Sequence, residues 1–337
     1  MSLVAPNIIE IDGWKKEWVF NTLTLRQTYN DHHVFEISVL VPETTKNNPA
    51  FTASELAGLL GKDVFLNIRI EALETPQDGK VSNPGKNKIG ATCHFEGFVD
   101  EVVPVWTPKA CMLRITGYSK TIFMDCGPQF RTFYQKSVGE IVQKITSGYS
   151  RKIPAPVLNG AGMQADFSVQ TQETDYRYLC RLADTYGKVF YFDGKQLHFG
   201  DLEKREGAGA IELEFGEDLK QASIGLNIAP LNFELGAYKM ETNDIASYSA
   251  VNDCPSSHLL ANLAIKKSAV YPAPKMHLPN ITPGVPELKR KANQLLAKQA
   301  YGLVQFTGAS DLPSLKIGSK ISVKGAPEIV GQGEFII

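Results

Sequence analysis

The chain has no excess of charge of either sign. Its 35 Lys and Arg stand against 36 Asp and Glu, for a formal net charge of −1. A general nucleic-acid binder would carry a basic excess, so no nucleic-acid partner is expected. Cysteine is scarce: Cys93, Cys111, Cys126, Cys180 and Cys254 are widely spaced, with no Cys-x-x-Cys among them. That pattern favours free, mostly buried thiols in a reducing compartment over a disulfide framework or a zinc site. There is no run of about eighteen apolar residues to make a membrane span, so no direct membrane anchor is expected. The opening MSLVAPNIIEIDGW has no basic start before an apolar core and does not read as a Sec signal peptide. Export would need another route. Catalytic motifs are missing too: no HExxH, no GxSxG and no Cys/His pairing. The sequence thus offers no catalytic residue, no cofactor and no metal site.

What is present suits a soluble globular chain of 337 residues, 43% hydrophobic and 21% charged, long enough for two or three domains. The most informative stretch is Phe167 to Asp201, FSVQTQETDYRYLCRLADTYGKVFYFDGKQLHFGD. Phe167 and Val169 alternate with polar residues as in a half-buried strand. Thr174 can cap a helix, Asp175 suits the positive end of its dipole, and Gly187 can end it in a left-handed turn. Tyr176, Leu179, Cys180, Ala183 and Tyr186 share one face; Arg177 and Arg181 lie off it. Strands are expected over 189–192 and 196–199, joined by a tight Asp193-Gly194 turn.

Leu23, Leu25, Val34, Phe35, Ile37, Val39 and Val41 supply strand alternation around an Asn30-Asp31 turn. His32 and His33 follow that turn; neighbours on a strand face opposite ways, so they read as solvated turn residues and not as a chelate. Thr52 to Glu55 is a capping box before Leu56, Leu59 and Leu60, closed by Gly61. Val64, Leu66, Ile68 and Ile70 alternate. Residues 75–90 read as a long exposed loop; its Gly and Lys residues lack the order and the following helix of a phosphate loop. Two strands follow, one carrying Phe95 to Val103 and one Cys111 to Gly117, with a turn at Trp106-Thr107-Pro108. Ser137 to Glu140 is a second capping box, before Val138, Ile141, Val142 and Ile145, with Gly148 as the stop. Residues 152–162 read as a loop. Strands are expected around Ile211 to Phe215, Ile224 to Ile228 and Phe233 to Ala237, with a GAGA turn at 207–210 between strands and not before a helix. Residues 247–284 read as a polar, Pro-rich connection; His258 and His277 within it are too far apart to hold a metal. Pro286 opens a helix whose inner face holds Leu288, Ala292, Leu295, Leu296 and Gln299 or Ala300, while its basic residues read as a solvated face. The last strands stop at Phe335-Ile336-Ile337, in mid-strand, as if a longer chain continued.

The two ends echo each other. Leu60, Gly61, Val64 and Leu66 match Ile317, Gly318, Ile321 and Val323 in order and spacing. A loop and then a Gly-containing apolar strand follow in both, over 95–99 and 333–337. A duplicated β-domain with an α/β insert explains this. The expected fold is therefore β-rich α+β: a first barrel-like β-domain over 1–127, an α/β domain over 128–205, and a second barrel-like β-domain over 206–337.

The residues Glu173, Thr174, Asp175, Tyr176, Leu179, Leu182, Ala183, Gly187, Tyr191, Phe192, Asp193 and Gly194 resemble the signature of the valine-glycine repeat spike proteins of type VI secretion systems. They also resemble the baseplate hub and late-control proteins of contractile-tailed phages. Leu113-x-Ile115-x-Gly117-Tyr118, and Gly308, Ser310, Leu315 and Gly318, fall in the family's order, so the resemblance spans nearly the whole chain. It implies a structural hub at the tip of a contractile injection apparatus. Three copies, each with two related domains, would form a pseudo-hexameric ring that docks on a hexameric tail-tube protein and joins it to a needle. The protein would be made in the cytoplasm and delivered outside the cell within the apparatus. The family normally continues into a small barrel and a β-helical needle, neither of which is here. Secretion system and phage tail share this hub and stay open. Two other readings, a tail-borne wall hydrolase and a carbohydrate-binding adhesion module, find no paired carboxylates and no aromatic platform; Trp14, Trp18 and Trp106 are dispersed.

Overall fold

The computed structural model describes residues 8–14, 19–41, 51–69, 92–106, 111–201, 209–239, 242–250, 259–277, 285–327 and 333–337. The expected loop at 75–90, the turn after Trp106, and Trp18, Ile70, Cys254 and His258 lie outside them, as does the first part of the GAGA turn.

The first segment is one sheet. Its strands are β1 (Ile8–Ile11), β2 (Val19–Arg26), β3 (Val34–Val41), β4 (Asp63–Arg69), β5 (Thr92–Trp106) and β6 (Cys111–Ser119), in the spatial order β1-β4-β5-β6-β3-β2, with every pairing antiparallel. Alternation decides which face is inside: Phe35, Ile37 and Val39 are fully buried while Glu36 and Leu40 face out. The sheet curls into half a barrel. β5 is the long member, and a register shift between Val99 and Glu101 bends it, as bulges do. Helix α1 (Ala53–Leu59) begins at Thr52, whose capping box with Glu55 is formed in both directions. It places Leu59 on the sheet and leaves Leu60 exposed.

A 3-10 turn over Lys120–Asp125 leads into the middle segment. There β7 (Gln129–Ser137) runs directly into α2 (Val138–Thr146), whose Ser137–Glu140 capping box also forms. The helix ends at Ser147 and passes into a 3-10 turn, so Gly148 is not its stop. β8 (Val157–Asn159) lies inside the expected loop at 152–162. Then come β9 (Gln164–Glu173), α3 (Asp175–Tyr186), β10 (Val189–Phe192) and β11 (Leu197–Gly200). β7 and β9 form a separate antiparallel ribbon. Phe167 belongs to the ribbon's outer face with Phe130 and Tyr134, and all three are exposed; β9 buries Ala165 and Gln170, not Phe167. The short Asp193-Gly194 turn is longer than expected, because β11 starts only at Leu197.

The last segment is divided among small sheets. β12 (Ile211–Glu214) pairs with β18 (Lys320–Lys324), which pairs with β19 (Glu334–Ile336). β13 (Leu219–Leu226) pairs with β17 (Val304–Ser310), and β14 (Phe233–Lys239) lies between β15 (Asp244–Ala250) and β16 (Lys275–His277). The expected connection at 247–284 therefore holds part of β15, helix α4 (Leu259–Lys267) and β16. Leu226 and Ile228 are exposed, and β13 ends at Leu226, short of Ile228. Helix α5 (Val285–Tyr301) buries Leu288, Ala292 and Leu296 as its spacing predicts. Four separate apolar clusters result: one under the first sheet, one around α2 and α3, and two in the last segment. Among the described residues, no helix is long and apolar enough to cross a membrane.

The echo between the ends extends to hydrogen bonds. Gly61 N donates to Val99 O (2.8 Å) and Val99 N to Lys62 O (2.9 Å); Gly318 N donates to Ile337 O (2.8 Å) and Ile337 N to Ser319 O (2.9 Å). Val64 lies opposite Gly97 and Ile321 opposite Phe335. The two hairpins, β4–β5 and β18–β19, are thus built alike, each entered through a positive-φ glycine. The fold is β-rich α+β, with two related barrel-like β parts and an α/β part between them.

Candidate functional site

The site is α3 with the β10–β11 turn. Thr174 accepts from Arg177 N (3.3 Å) and caps the helix, while its hydroxyl donates to Asp125 at the end of the 3-10 turn. Tyr176 is buried and reaches across to donate to Asp31 O (3.1 Å). Its ring lies against His32, centroids 4.2 Å apart. His32 is held at both ring nitrogens, by Thr121 Oγ1 and Asp125 Oδ2, each at 2.8 Å. The start of α3 is therefore clamped to the β2–β3 turn of the first sheet. His32 and His33 are both buried, which corrects the reading of solvated turn residues: adjacent side chains point apart, but here each direction is covered by a different segment.

Asp175 is a buried carboxylate. It accepts from Arg131, from Gln170 Nε2 (2.8 Å) and from Tyr149 OH (2.7 Å). Burial alone would raise its pKa; the donors and the Arg131 charge outweigh it and hold the carboxyl below the ordinary value. Burial and the Asp175 charge push the Tyr149 phenol up. Glu173 pairs with Arg181 on the exposed side (2.5 Å). Leu179, Leu182 and Ala183 fill the core beneath, together with Tyr178, which spacing alone did not place on the inner face. Cys180 and Tyr186 flank that cluster, partly buried; burial pushes the Cys180 thiol up to about 12.

The far end of α3 meets the last segment. Gly187 ends the helix at φ 62°. Gln294 Nε2 of α5 donates to Tyr186 O (2.9 Å), Lys291 Nζ to Thr185 O (2.8 Å), and Lys298 pairs with Asp184 (2.8 Å). Two α5 lysines thus face the negative end of the α3 dipole. Part of the basic run read as solvated is in this way an intersegment contact.

The turn after β10 touches both flanking segments. Gly194 O accepts from Glu96 N of β5 (3.1 Å). Asp193 is buried; its Oδ1 accepts from Lys195 N (3.0 Å) and Gln196 N (2.8 Å), and its Oδ2 from Lys316 Nζ (2.7 Å), with His198 Nε2 at 3.2 Å. Burial would raise this carboxyl too, but His198, Lys316 and the Gln196 amide hold it far below the ordinary range. Tyr191 packs against Gly318, and Phe192 against His33.

Of the twelve signature residues, Thr174, Tyr176, Gly187, Tyr191, Phe192, Asp193 and Gly194 meet the flanking segments at a three-way joint, while Glu173, Asp175, Leu179, Leu182 and Ala183 are held within the middle segment. Sequence spacing found the helix and the turn. It missed their partners, Asp31, His32, His33, Asp125, Gln294 and Lys316, because each lies far away in the chain and carries no local signal. Among the described residues, no group of three His, Cys, Asp or Glu is placed to hold a metal.

The chain is similar in structure to a 43 kDa tail protein of prophage MuSo2 from Shewanella oneidensis, with TM-score 0.66 and 13% identity over 99% of this chain and 92% of that one. It is similar to a tail protein from Neisseria meningitidis MC58, with TM-score 0.61 and 13% identity over 95% and 86%. A third likeness is to the E. coli c3393 protein, described as a component of the type VI secretion system with structural similarity to T4 tail proteins gp27 and gp5. There the TM-score is 0.53 and the identity 13%, over 96% and 69%. No curated protein matches the chain in sequence. The family model of the phage tail baseplate hub (GPD) matches residues 30–337, and the chain belongs to that family.

Proposed function

We propose that this chain is the structural hub of a trimeric spike, joining the tail tube of a contractile apparatus to the needle. The observation that carries the reading is the repeated hairpin, with the same pair of backbone hydrogen bonds at Gly61/Val99 and Gly318/Ile337. Two like units per chain give six in a trimer, which matches a hexameric tube. In this reading the units are bounded near residues 127 and 205. The signature residues fix their relative pose, so that a push on one is transmitted to the other. The role is mechanical and calls for no enzyme, cofactor or metal. The partners are two further copies, a hexameric tube protein and a needle; the site of action is an injection apparatus or phage tail delivered outside the cell.

Light scattering across a dilution series tests this. The expected mass is that of three chains, with rings and a central channel in electron microscopy. A monomer at every concentration that forms no ring with a tube protein would overturn it.

A further inference from the structure

Among the described residues, His33 is a buried imidazole with both ring nitrogens unsatisfied. It has no exposed surface, and neither ring nitrogen has a hydrogen-bond partner. Its ring lies between Phe95 of the first sheet (6.4 Å between centroids) and Phe192 of the middle segment (5.4 Å). Its backbone is held by Ser119, through His33 N to Oγ (3.1 Å) and Ser119 N to His33 O (2.9 Å). The ring therefore cannot swing out to water without parting the two segments.

We propose that His33 is a proton-sensitive latch: protonation of its ring releases the 193–196 turn from the first sheet and loosens the three-way joint while each segment stays folded. The charged surroundings support this. On its own turn, His32 is already held by Thr121 and Asp125. From the middle segment Asp193 is the one anion that acts on it, and that carboxylate is committed to Lys316, His198 and two turn amides. On β5, Cys93 has its thiol pushed up by burial and supplies no anion. A cation on His33 would sit in an apolar slot with no free partner, which is costly unless water enters.

The sign follows from burial. Burial lowers the His33 pKa from 6.5 to about 4, against a smaller opposing pull from Asp193. An opened joint then binds a proton that the closed joint refuses, so opening is favoured as pH falls through that window.

The reporter is the Glu96 amide, bonded to Gly194 O across the joint. After correction for intrinsic exchange, its hydrogen-exchange protection should fall about twentyfold between pH 7 and pH 5. The Val99 amide, bonded to Lys62 O within the first segment, should keep its protection, and His33→Phe should flatten the Glu96 response. Flat Glu96 protection in the wild type, an unchanged pH response in His33→Phe, or parallel loss at Val99 would each overturn the proposal. Should His33→Phe fail to fold, an NMR titration of the wild-type imidazole decides. A ring that takes up its proton while Glu96 stays protected overturns the latch; loss of protection in step with protonation supports it.

Discussion

The two hairpins share a turn and a hydrogen-bond pattern, yet the molecule treats them differently. β4–β5 belongs to a continuous six-stranded sheet, and no described residue packs against its entry turn on the side a Gly61 methyl would occupy. β18–β19 belongs to a three-stranded sheet, and its entry turn at Gly318 lies against Tyr191 of the middle segment. The middle segment grips the first hairpin along its strand, through Glu96 and Gly194. It grips the second at its turn, through Tyr191 and the Asp193–Lys316 pair. A duplicated unit keeps its internal bonding, while its outer surface adapts to whatever packs there. A hairpin within a large sheet draws its stability from its neighbours; one in a small sheet leans on contacts beyond the sheet.

The largest effect should come from removing the support that both hairpins rest on. Leu179 is fully buried at the centre of the α2–α3 cluster. Leu179→Asp buries an unpaired charge there and should cost more than about 4 kcal/mol, enough to unfold the middle segment. A normal melting curve for that variant would refute the place given to α3.

Asp193→Ala should separate the hairpins. It leaves Lys316 and two turn amides without their acceptor, while the Glu96–Gly194 bond is a backbone contact that the substitution does not remove. Lys316 is partly exposed, so water softens the loss, and the cost should be about 3 kcal/mol. The expected pattern in hydrogen exchange is selective: amides of β18 and β19 lose protection and those of β4 and β5 keep it. Equal losses in both hairpins would mean that the two are not held independently.

The sequence made the local parts of this picture legible. Both capping boxes, the stop at Gly187, the inner face of α5 and the alternation of β3 follow from spacing and cap chemistry, which act within a few residues. The echo between the ends was visible because Gly61 and Gly318 mark the same left-handed turn. What stayed hidden depends on distant contacts. Phe167 looked half-buried by its pattern, but among the described residues nothing covers the outer face of the ribbon it joins. His33 looked solvated by its turn, but Phe95 and Phe192 close over it from two segments. Asp193 looked like an ordinary turn residue until Lys316 arrived from 123 positions away. Residues 247–284 looked like a connection because Leu259, Leu260, Ala261 and Ala264 give only a short, weakly sided helix, and three-residue β16 is too brief to show alternation.

The smallest effect gives the sharpest test of the comparison. Gly61 and Gly318 both have positive φ, 75° and 81°, so alanine at either strains the backbone by about 1 kcal/mol. At Gly61 a methyl group would meet no described residue within 4 Å, whereas at Gly318 it would fall 2.5 Å from the Tyr191 hydroxyl. Gly318→Ala should therefore cost about 1 kcal/mol more, from displacement of a ring packed on His198. In the Tyr191→Leu background that excess should shrink, because the ring atoms 2.6 and 2.7 Å from the added methyl go together with the hydroxyl, while Gly61→Ala should be unaffected by the change at Tyr191. A double-mutant cycle in denaturant measures this coupling directly. Equal costs for the two glycines, or no coupling between Gly318 and Tyr191, would show that the second turn is as free as the first. The contact with the last segment would then rest on the Asp193–Lys316 pair and the α3–α5 contacts.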